Sequence, residues 1–531
     1  MHSAGAHETD SASATGFDRV RNLERLERET FDVLVIGGGA TGAGVALDAA
    51  TRGLKVALVE RADFASGTSS RSTKLVHGGV RYLQAAITRL DRAQFHLVQE
   101  GLAERAILLN IAPHLVHSLR LVVPARSWYD AITQRFGLWL YDRIAGRSAL
   151  EPSRWLSASE VLASFPKLRR RGLRGGVAYH DGQFDDARMV MAVLATAAEA
   201  SAVIANRVEV SALIERDARL AGAQVRDAST DRSFTIHARS LVNATGPQCD
   251  AVRRLEDPQA DALLATSRGS HLALEAHWAP RGDGLLIPHT RDDRVLFLLP
   301  WQGASLLGTT DEAAEPVDDP TPQPQEEAYL LAHAGEWFEP APQASDVRAR
   351  WAGLRPLVAG RARNTARLVR DHYVEIGPKG LVSIAGGKWT TYRRMAEVTV
   401  DALVETAQLK VERTCQTRTL KLLGARSFHP QLASELARTH ALESDIAAHL
   451  AASYGDRAEA VLAHGGPSHR QRLLPQHPFI EAEVLWARDR EMALSAEDVL
   501  ARRLRLAFTD AVAARALTPH VQALLDRSRP P

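Results

Sequence analysis

Residues 68–83, TSSRSTKLVHGGVRYL, gather five serine and threonine hydroxyls, three cations, a histidine and a glycine pair. Hydroxyls, ammonium groups and bare backbone amides are the groups that hold phosphates and polar rings, so the stretch reads as the floor of a cofactor site. A serine-rich surface loop is the plain alternative for any single hydroxyl.

A floor of this kind needs a nucleotide unit to position it, and one stands immediately upstream. Residues 31–60, FDVLVIGGGATGAGVALDAATRGLKVALVE, read as a strand, a glycine turn, a helix with small residues toward the sheet, and a second strand ending in an acid. Gly37, Gly39 and Gly42 give the GxGxxG spacing, with Ala40 and Thr41 between them. The turn needs the first glycine, close approach to a pyrophosphate the second, and helix–strand packing the third. Glu60 closes the second strand, where a carboxylate can accept from ribose hydroxyls. GxGxxG alone is weak, but strand, helix and terminal acid here stand where the mechanism requires them.

Farther along, RSLVNATGP (239–247) and LVSIAGGKWTTYRRMAEVTV (381–400) read as later strands of the same sheet, each running into a glycine turn. Between them, alternating runs such as DRVLFLLPWQGASLLGTTD (293–311) predict antiparallel strands of an inserted second domain. The expected fold is α/β: a discontinuous Rossmann-like nucleotide-binding domain, an inserted and mainly antiparallel β substrate domain, and a C-terminal helical domain. The expected boundaries are a disordered tail over 1–30, the discontinuous nucleotide-binding region with its inserted segments over 31–410, and the α-helical domain over 411–531. In the last of these, SAEDVLARRLRLAF (495–508) predicts one helix, with Ser495 and Asp498 as a capping box and Leu500, Leu504 and Phe508 on one face.

At 531 residues the chain exceeds one hydrophobic core, which agrees with several domains. Its 65 Lys+Arg against 63 Asp+Glu leave a net charge of +2 and no basic block, so nucleic acid is not an expected partner. Two distant cysteines, Cys249 and Cys415, predict neither a disulfide framework nor a metal site, and suit a reducing, cytoplasmic setting. Residues 1–16 carry no apolar run of a signal peptide, and no stretch approaches the roughly 20 apolar residues of a spanning helix.

The series GGGATGAG, TSSRSTKLVHGGVRYL, DGQFDDARM, NATGP, RGSH, GTTD, GLRP and GGKWTTYR, in that order over about residues 31–400, resembles the FAD-dependent glycerol-3-phosphate dehydrogenases. FIEAEVLWARDREMALSAEDVLARRLRLAF (479–508) is similar to their helical C-terminal domain. Gln248 after NATGP and Trp389 after GGK depart from residues that family members often carry there. The resemblance implies oxidation of sn-glycerol 3-phosphate to dihydroxyacetone phosphate, with FAD passing electrons to a membrane quinone. It also implies a peripheral position on the inner face of the cytoplasmic membrane, and leaves a homodimer open.

Under that resemblance the opening segment acquires roles. Thr68, Ser69, Ser70, Ser72 and Lys74 are expected at the pyrophosphate and ribityl chain, and Gly78 and Gly79 let backbone approach the flavin ring. His77 either faces the flavin or satisfies the loop. Ala244, Thr245 and Gly246, with Gly386, Gly387 and Lys388, complete the expected cofactor set. For a small phosphorylated dianion, fixed cations are required, and Arg81, Arg355 and Lys388 are the candidates, with Arg370 and Tyr82 beside them. Arg355 and Lys388 also join the catalytic set. His271, in RGSHLAL, is the expected base for the substrate hydroxyl, since an imidazole near neutral pKa suits that task. A structural histidine is the alternative.

In residues 125–146, ARSWYDAITQRFGLWLYDRIAG, Trp128, Ile132, Phe136, Trp139 and Leu140 fall at helical spacing near Arg126, Arg135 and Arg143. Either the helix packs this face on the core, or it lies on a bilayer with its aromatics at headgroup level. Two rival functions complete the picture. One is another flavoenzyme, either a glycerol-3-phosphate oxidase using oxygen or an amine or amino-acid oxidase, the latter disfavoured by so many cations. The other is a nucleotide-binding scaffold without turnover.

Overall fold

The computed structural model describes residues 17–79, 92–280, 282–288, 290, 294–359 and 372–527. The strand Thr30–Ile36 is apolar nearly throughout because it is covered on both faces, as a central strand of a parallel sheet must be. It pairs in parallel with Val56–Val59 on one side and Arg232–Asn243 on the other. The sheet order is His372–Ile376, Val382–Gly386, Arg232–Asn243, Thr30–Ile36, Val56–Val59, Val203–Ala205, with an antiparallel hairpin, Val208–Arg216 and Arg219–Asp227, joined to Arg232–Asn243. The helix Ala40–Thr51 is buried along most of its length and packs on Tyr392–Ala407, where a Cβ at Gly44 would stand 2.9 Å from the Tyr392 ring. One domain is thus closed by segments about 350 positions apart, as the glycine turns at 244–246 and 386–387 predict.

The second sheet is antiparallel apart from the parallel pair Gly284–Ile287 and Val116–Ala125. Its strands come from two stretches, 75–184 and 264–358, rather than from the later one alone. Gly175–Phe184 runs along all of Val116–Ala125, and Leu264–Glu275 runs along Val347–Val358. The earlier stretch gives no alternation to read, since Leu75–Val76 is two residues long and Val116–Ala125 and Gly175–Phe184 are buried on both faces over most of their length.

The disordered tail expected over 1–30 needs correction. Arg19–Arg28 is a helix, N-capped by Asp18, with Leu26 buried. Its Arg19 pairs with Asp227 at 2.6 Å, and Asn22 donates to the Ile204 carbonyl at 2.9 Å. The polarity that reads as disorder is an interface with the hairpin and its neighbouring strand. Residues 1–16 lie outside the described residues.

The C-terminal unit is helical, with Ser444–Tyr454, Glu481–Arg490 and Ala511–Leu525 among its elements. Ser495 and Asp498 form the expected reciprocal cap, Ser495 N donating to Asp498 Oδ2 at 3.0 Å and Asp498 N to Ser495 Oγ at 3.2 Å. The single helix expected over 495–508 is nevertheless broken: Asp498–Arg503 winds as a π-helix, Arg505 takes φ +67°, and Leu506–Thr509 begins anew. A left-handed non-glycine residue costs roughly 1–2 kcal/mol, so its surroundings must hold it there. They do so through the Arg505 side chain, described below.

Candidate active site

Three turns meet at the carboxyl edge of the first sheet, where an open α/β fold places its ligand. Gly37 has φ +112°, and a Cβ there would stand 2.6 Å from the Ala244 carbonyl oxygen, so the first glycine turn and the NATGP turn are in contact. A Cβ at Gly42 would run into the Gly37 carbonyl, which fixes that position as glycine. Gly39 caps Ala40–Thr51 without a side-chain bond, and the helix carries no acid in its own first turn, which suits a pyrophosphate at its positive end. Ser69 Oγ accepts from Ala40 N at 2.9 Å, tying the segment to that helix end near Thr41. Glu60 accepts from Gly38 N at 2.7 Å and Ala62 N at 2.9 Å, and burial raises its pKa. These donors and glycines fit a dinucleotide cofactor.

The third turn lies against the same segment. Gly386 and Gly387 have φ +76° and +77°, turning the strand Val382–Gly386 toward Tyr392–Ala407 through Lys388. Trp389 Nε1 donates to the Ser69 carbonyl at 2.9 Å, and Thr68 Oγ1 donates to the Leu354 carbonyl at 2.5 Å. Consecutive residues of the segment therefore hold the neighbours of Lys388 and Arg355. Thr245 Oγ1 donates to Asn243 Oδ1 at 2.7 Å, and Gly246, at φ +57°, opens onto free space. His77 N donates to Thr390 Oγ1 at 3.2 Å. Gly79 has φ +86°. The Gly78 amide donates to Tyr141 Oη at 2.8 Å, and a Cβ on Gly78 would strike Leu102, so this glycine serves close helix packing.

Arg355 and His271 share one face of the paired strands. Ser267 is opposite Arg355, Gly269 opposite Gly353, and His271 opposite Trp351. A Cβ on Gly269 would collide with the Arg355 guanidinium, which crosses the strand there, two residues or about 7 Å along the chain from His271. Arg355 Nη2 donates to Thr309 Oγ1 at 3.1 Å and the Thr310 carbonyl at 3.0 Å, and Nη1 lies 3.3 Å from Asp311 Oδ1. His271 is buried and stacked on Trp351 at 5.3 Å and 6°. Its Nε2 is 2.9 Å from Thr73 Oγ1, and the ring also meets the Gly269 backbone. Burial, with the cations Lys74 and Arg355, holds the ring well below the usual imidazole pKa, correcting the expectation of a near-neutral one.

Lys74 also differs from expectation. Its ammonium is fully buried, donating to Asp186 Oδ2 at 2.7 Å and the Ser70 carbonyl at 2.8 Å, and facing the rings of Trp301, Trp351 and Phe508. Burial pulls its pKa down to about 7. It is an internal counter-ion, and the pyrophosphate role fails because the side chain has no exposed surface and its ammonium is engaged by Asp186 and the Ser70 carbonyl. Ser72 turns inward as well, its hydroxyl 2.7 Å from Asp186 Oδ2, and Ser70 is buried with its hydroxyl at the Gly67 carbonyl. Arg81, Tyr82 and Arg370 lie outside the described residues. Thr73, Thr309 and Asp311 were missed as individual positions, although Thr73 lies in the opening segment and GTTD was recognised as a motif.

The helix Trp128–Ala145 turns Ala131, Leu138 and Tyr141 inward. Its other face leaves Trp128 63 %, Tyr129 77 %, Ile132 68 %, Phe136 56 % and Trp139 49 % exposed, so the packed-core reading does not hold for these residues, whereas Leu140 of the expected set packs against the core. No helix among the described residues is long and apolar enough to cross a membrane.

A family model described as FAD dependent oxidoreductase matches residues 32–393, and one described as the C-terminal domain of alpha-glycerophosphate oxidase matches residues 415–529. The chain is 44% identical to a probable mitochondrial glycerol-3-phosphate dehydrogenase of Caenorhabditis elegans, covering 96% of this chain and 72% of that one. To the mitochondrial glycerol-3-phosphate dehydrogenase of Homo sapiens it is 43% identical, covering 94% and 70%. Among solved structures, the glycerol-3-phosphate dehydrogenase of Bacillus halodurans complexed with FAD superposes with a TM-score of 0.78 at 29% identity, covering 97% of this chain and 95% of that one. The FAD-bound L-alpha-glycerophosphate oxidase of Mycoplasma pneumoniae shares the fold at 17% identity and a TM-score of 0.54, covering 73% and 97%.

Proposed function

The chain belongs to the FAD-dependent glycerol-3-phosphate dehydrogenase family, and on that premise we propose that it oxidises sn-glycerol 3-phosphate to dihydroxyacetone phosphate and delivers the electrons to a membrane quinone. The observation that carries the site reading is the tethering of Leu354 and Trp389, neighbours of Arg355 and Lys388, to Thr68 and Ser69 of the segment below the cofactor cradle. That tethering brings two cations to one cofactor segment. Arg355 and Lys388 bind the phosphate, and the Arg355 fork, already fixed by Thr309 and Asp311, meets it with little loss of side-chain freedom.

FAD bound here would supply the hydride acceptor for the secondary carbon of the substrate. The Gly37–Gly42 turn and the amino end of Ala40–Thr51 hold its pyrophosphate, Glu60 its ribose, and the 244–246 and 386–388 turns border it. His271 takes the substrate hydroxyl proton at Nε2, the atom now beside Thr73. A depressed pKa keeps the ring in its accepting form, and an arriving phosphate dianion raises its basicity by offsetting the Arg355 charge.

The exposed aromatic face of Trp128–Ala145 supports a peripheral position on a membrane surface, within reach of a quinone. The test is to purify the protein, check for a flavin spectrum, and add glycerol 3-phosphate without oxygen. Bleaching of the flavin band is the expected result, and a band that stays oxidised refutes the reaction. With air as acceptor, stoichiometric peroxide during turnover would replace the quinone by oxygen.

A further inference from the structure

The clearest unassigned feature is where the C-terminal unit enters the first domain. Asp186, the first residue of the buried helix Asp186–Glu199, has no exposed surface. Its Oδ1 accepts from Arg505 Nη2 at 2.8 Å and Ala187 N at 2.9 Å. Its Oδ2 accepts from Lys74 Nζ at 2.7 Å, Ser72 Oγ at 2.7 Å and Ser72 N at 3.1 Å. Arg505 Nη2 also donates to the Ser70 carbonyl at 2.7 Å, the same oxygen that Lys74 reaches. Two cations, one from each domain, thus grip one carboxylate and one backbone carbonyl. Ser72 Oγ, accepting from Lys74 N at 3.0 Å, closes the loop.

What this grip holds is the part of the segment that does chemistry. Thr73 lies between the two clamped residues Ser72 and Lys74, and its hydroxyl meets His271 Nε2. On the other side of the imidazole, Trp351 stacks on His271 and is backed by Phe508 at 5.1 Å, three residues beyond Arg505. The Arg505 guanidinium in turn lies 4.4 Å from the centre of the Phe508 ring. The C-terminal unit therefore braces His271 through Thr73 on one side and Trp351 on the other, and the buried contacts of the Arg505 side chain accompany its left-handed backbone.

We propose that Arg505 is a positioning residue for the oxidation, acting through Asp186, the Ser70 carbonyl and Thr73 to fix His271 against the substrate. The inference rests on the role given to His271 above. A neighbouring arginine supplies the contrast: Arg502 crosses the same interface but pairs with Asp63 at 2.6 Å and touches neither Asp186 nor Ser70.

The experiment compares full-length holoenzyme of wild type, Arg505→Met, Arg505→Lys and Arg502→Met, normalised to bound flavin, by anaerobic reduction with glycerol 3-phosphate. Displacement of reacting groups by about 1 Å is worth about 10²-fold. Arg505→Met is expected to lower the saturating reduction rate about 10- to 100-fold with half-saturation within about twofold, and Arg505→Lys to restore part of it. Arg502→Met is expected to lower melting temperature while keeping the rate per flavin. Equal rates in Arg505→Met and wild type overturn the proposal, as does an equal rate loss in Arg502→Met. If Arg505→Met yields no folded holoenzyme, Ser72→Ala, which removes one hydroxyl of the clamp, takes its place. A lower rate there supports the clamp, and an unchanged rate overturns it. Absence of bleaching in wild type would instead sink the functional reading itself.

Discussion

His271 Nε2 and Thr73 Oγ1 stand 2.9 Å apart, joining the strand Leu264–Glu275 to the segment that follows the nucleotide unit across 198 positions of sequence. The pair makes His271 part of the cofactor segment's own framework. Positioned acid–base groups contribute typically about 10²- to 10⁴-fold, so His271→Ala is expected to lose turnover by that order while retaining FAD. Steady-state rates per bound flavin measure this, and unchanged turnover would remove His271 from the reaction.

The same imidazole is expected to stay neutral. Burial, Lys74 and Arg355 depress its pKa in the folded protein, whereas the unfolded chain protonates it near pH 6.5. The unfolded state therefore binds more protons below that pH, and His271 withdraws stability as pH falls through about 6.5. In ¹³C-histidine-labelled protein, the resonance missing from His271→Ala should not titrate between about pH 5.5 and 8. A midpoint near 6.5 would contradict the buried environment.

Arg355→Met removes a guanidinium while leaving Asp311 with its partner Ser267. Hydrogen bonds to charged groups are worth roughly 1.5–3 kcal/mol, so KM for glycerol 3-phosphate is expected to rise about 10- to 100-fold with FAD still bound. An unaltered KM would place the phosphate elsewhere.

Replacing Trp128, Phe136 and Trp139 by serine leaves the inward residues Leu138 and Tyr141 in place. Wild-type protein is expected to co-float with anionic liposomes at low salt and the triple variant to remain below. Wild type that fails to float would exclude the membrane face.

Asp63 joins the domains, accepting from Arg502 at 2.6 Å and Arg503 at 2.8 Å. Burial opposes its ionisation, but the two guanidinium groups prevail and lower its pKa from 3.8 to about 2. Its stabilising contribution, on the order of 2 kcal/mol, is present above pH 3.8 and lost as pH falls through about 2. Thermal melting between pH 5 and pH 2.5 should fall less steeply in Asp63→Asn than in wild type, and parallel slopes would show that Asp63 is not the coupled group.

The sequence by itself determined the local chemistry. Apolar strands running into Gly37 and Gly246, the acid closing the second strand at Glu60, and the reciprocal cap of Ser495 and Asp498 were legible, because turn geometry and periodicity are set within a few residues, whereas Arg355 and Lys388 stood out only through the family resemblance of their motifs. The tertiary structure decided which partner each group met. Lys74 reads identically whether it faces a phosphate or Asp186, Thr73 acquires its role only when Leu264–Glu275 arrives, and Trp128–Ala145 carries apolar residues on both faces. The expected helix over 495–508 breaks at Arg505 because a buried carboxylate more than 300 positions away supplies the compensating bond. Long-range partners of this kind leave no period in the chain, since their energy depends on distances that only folding creates.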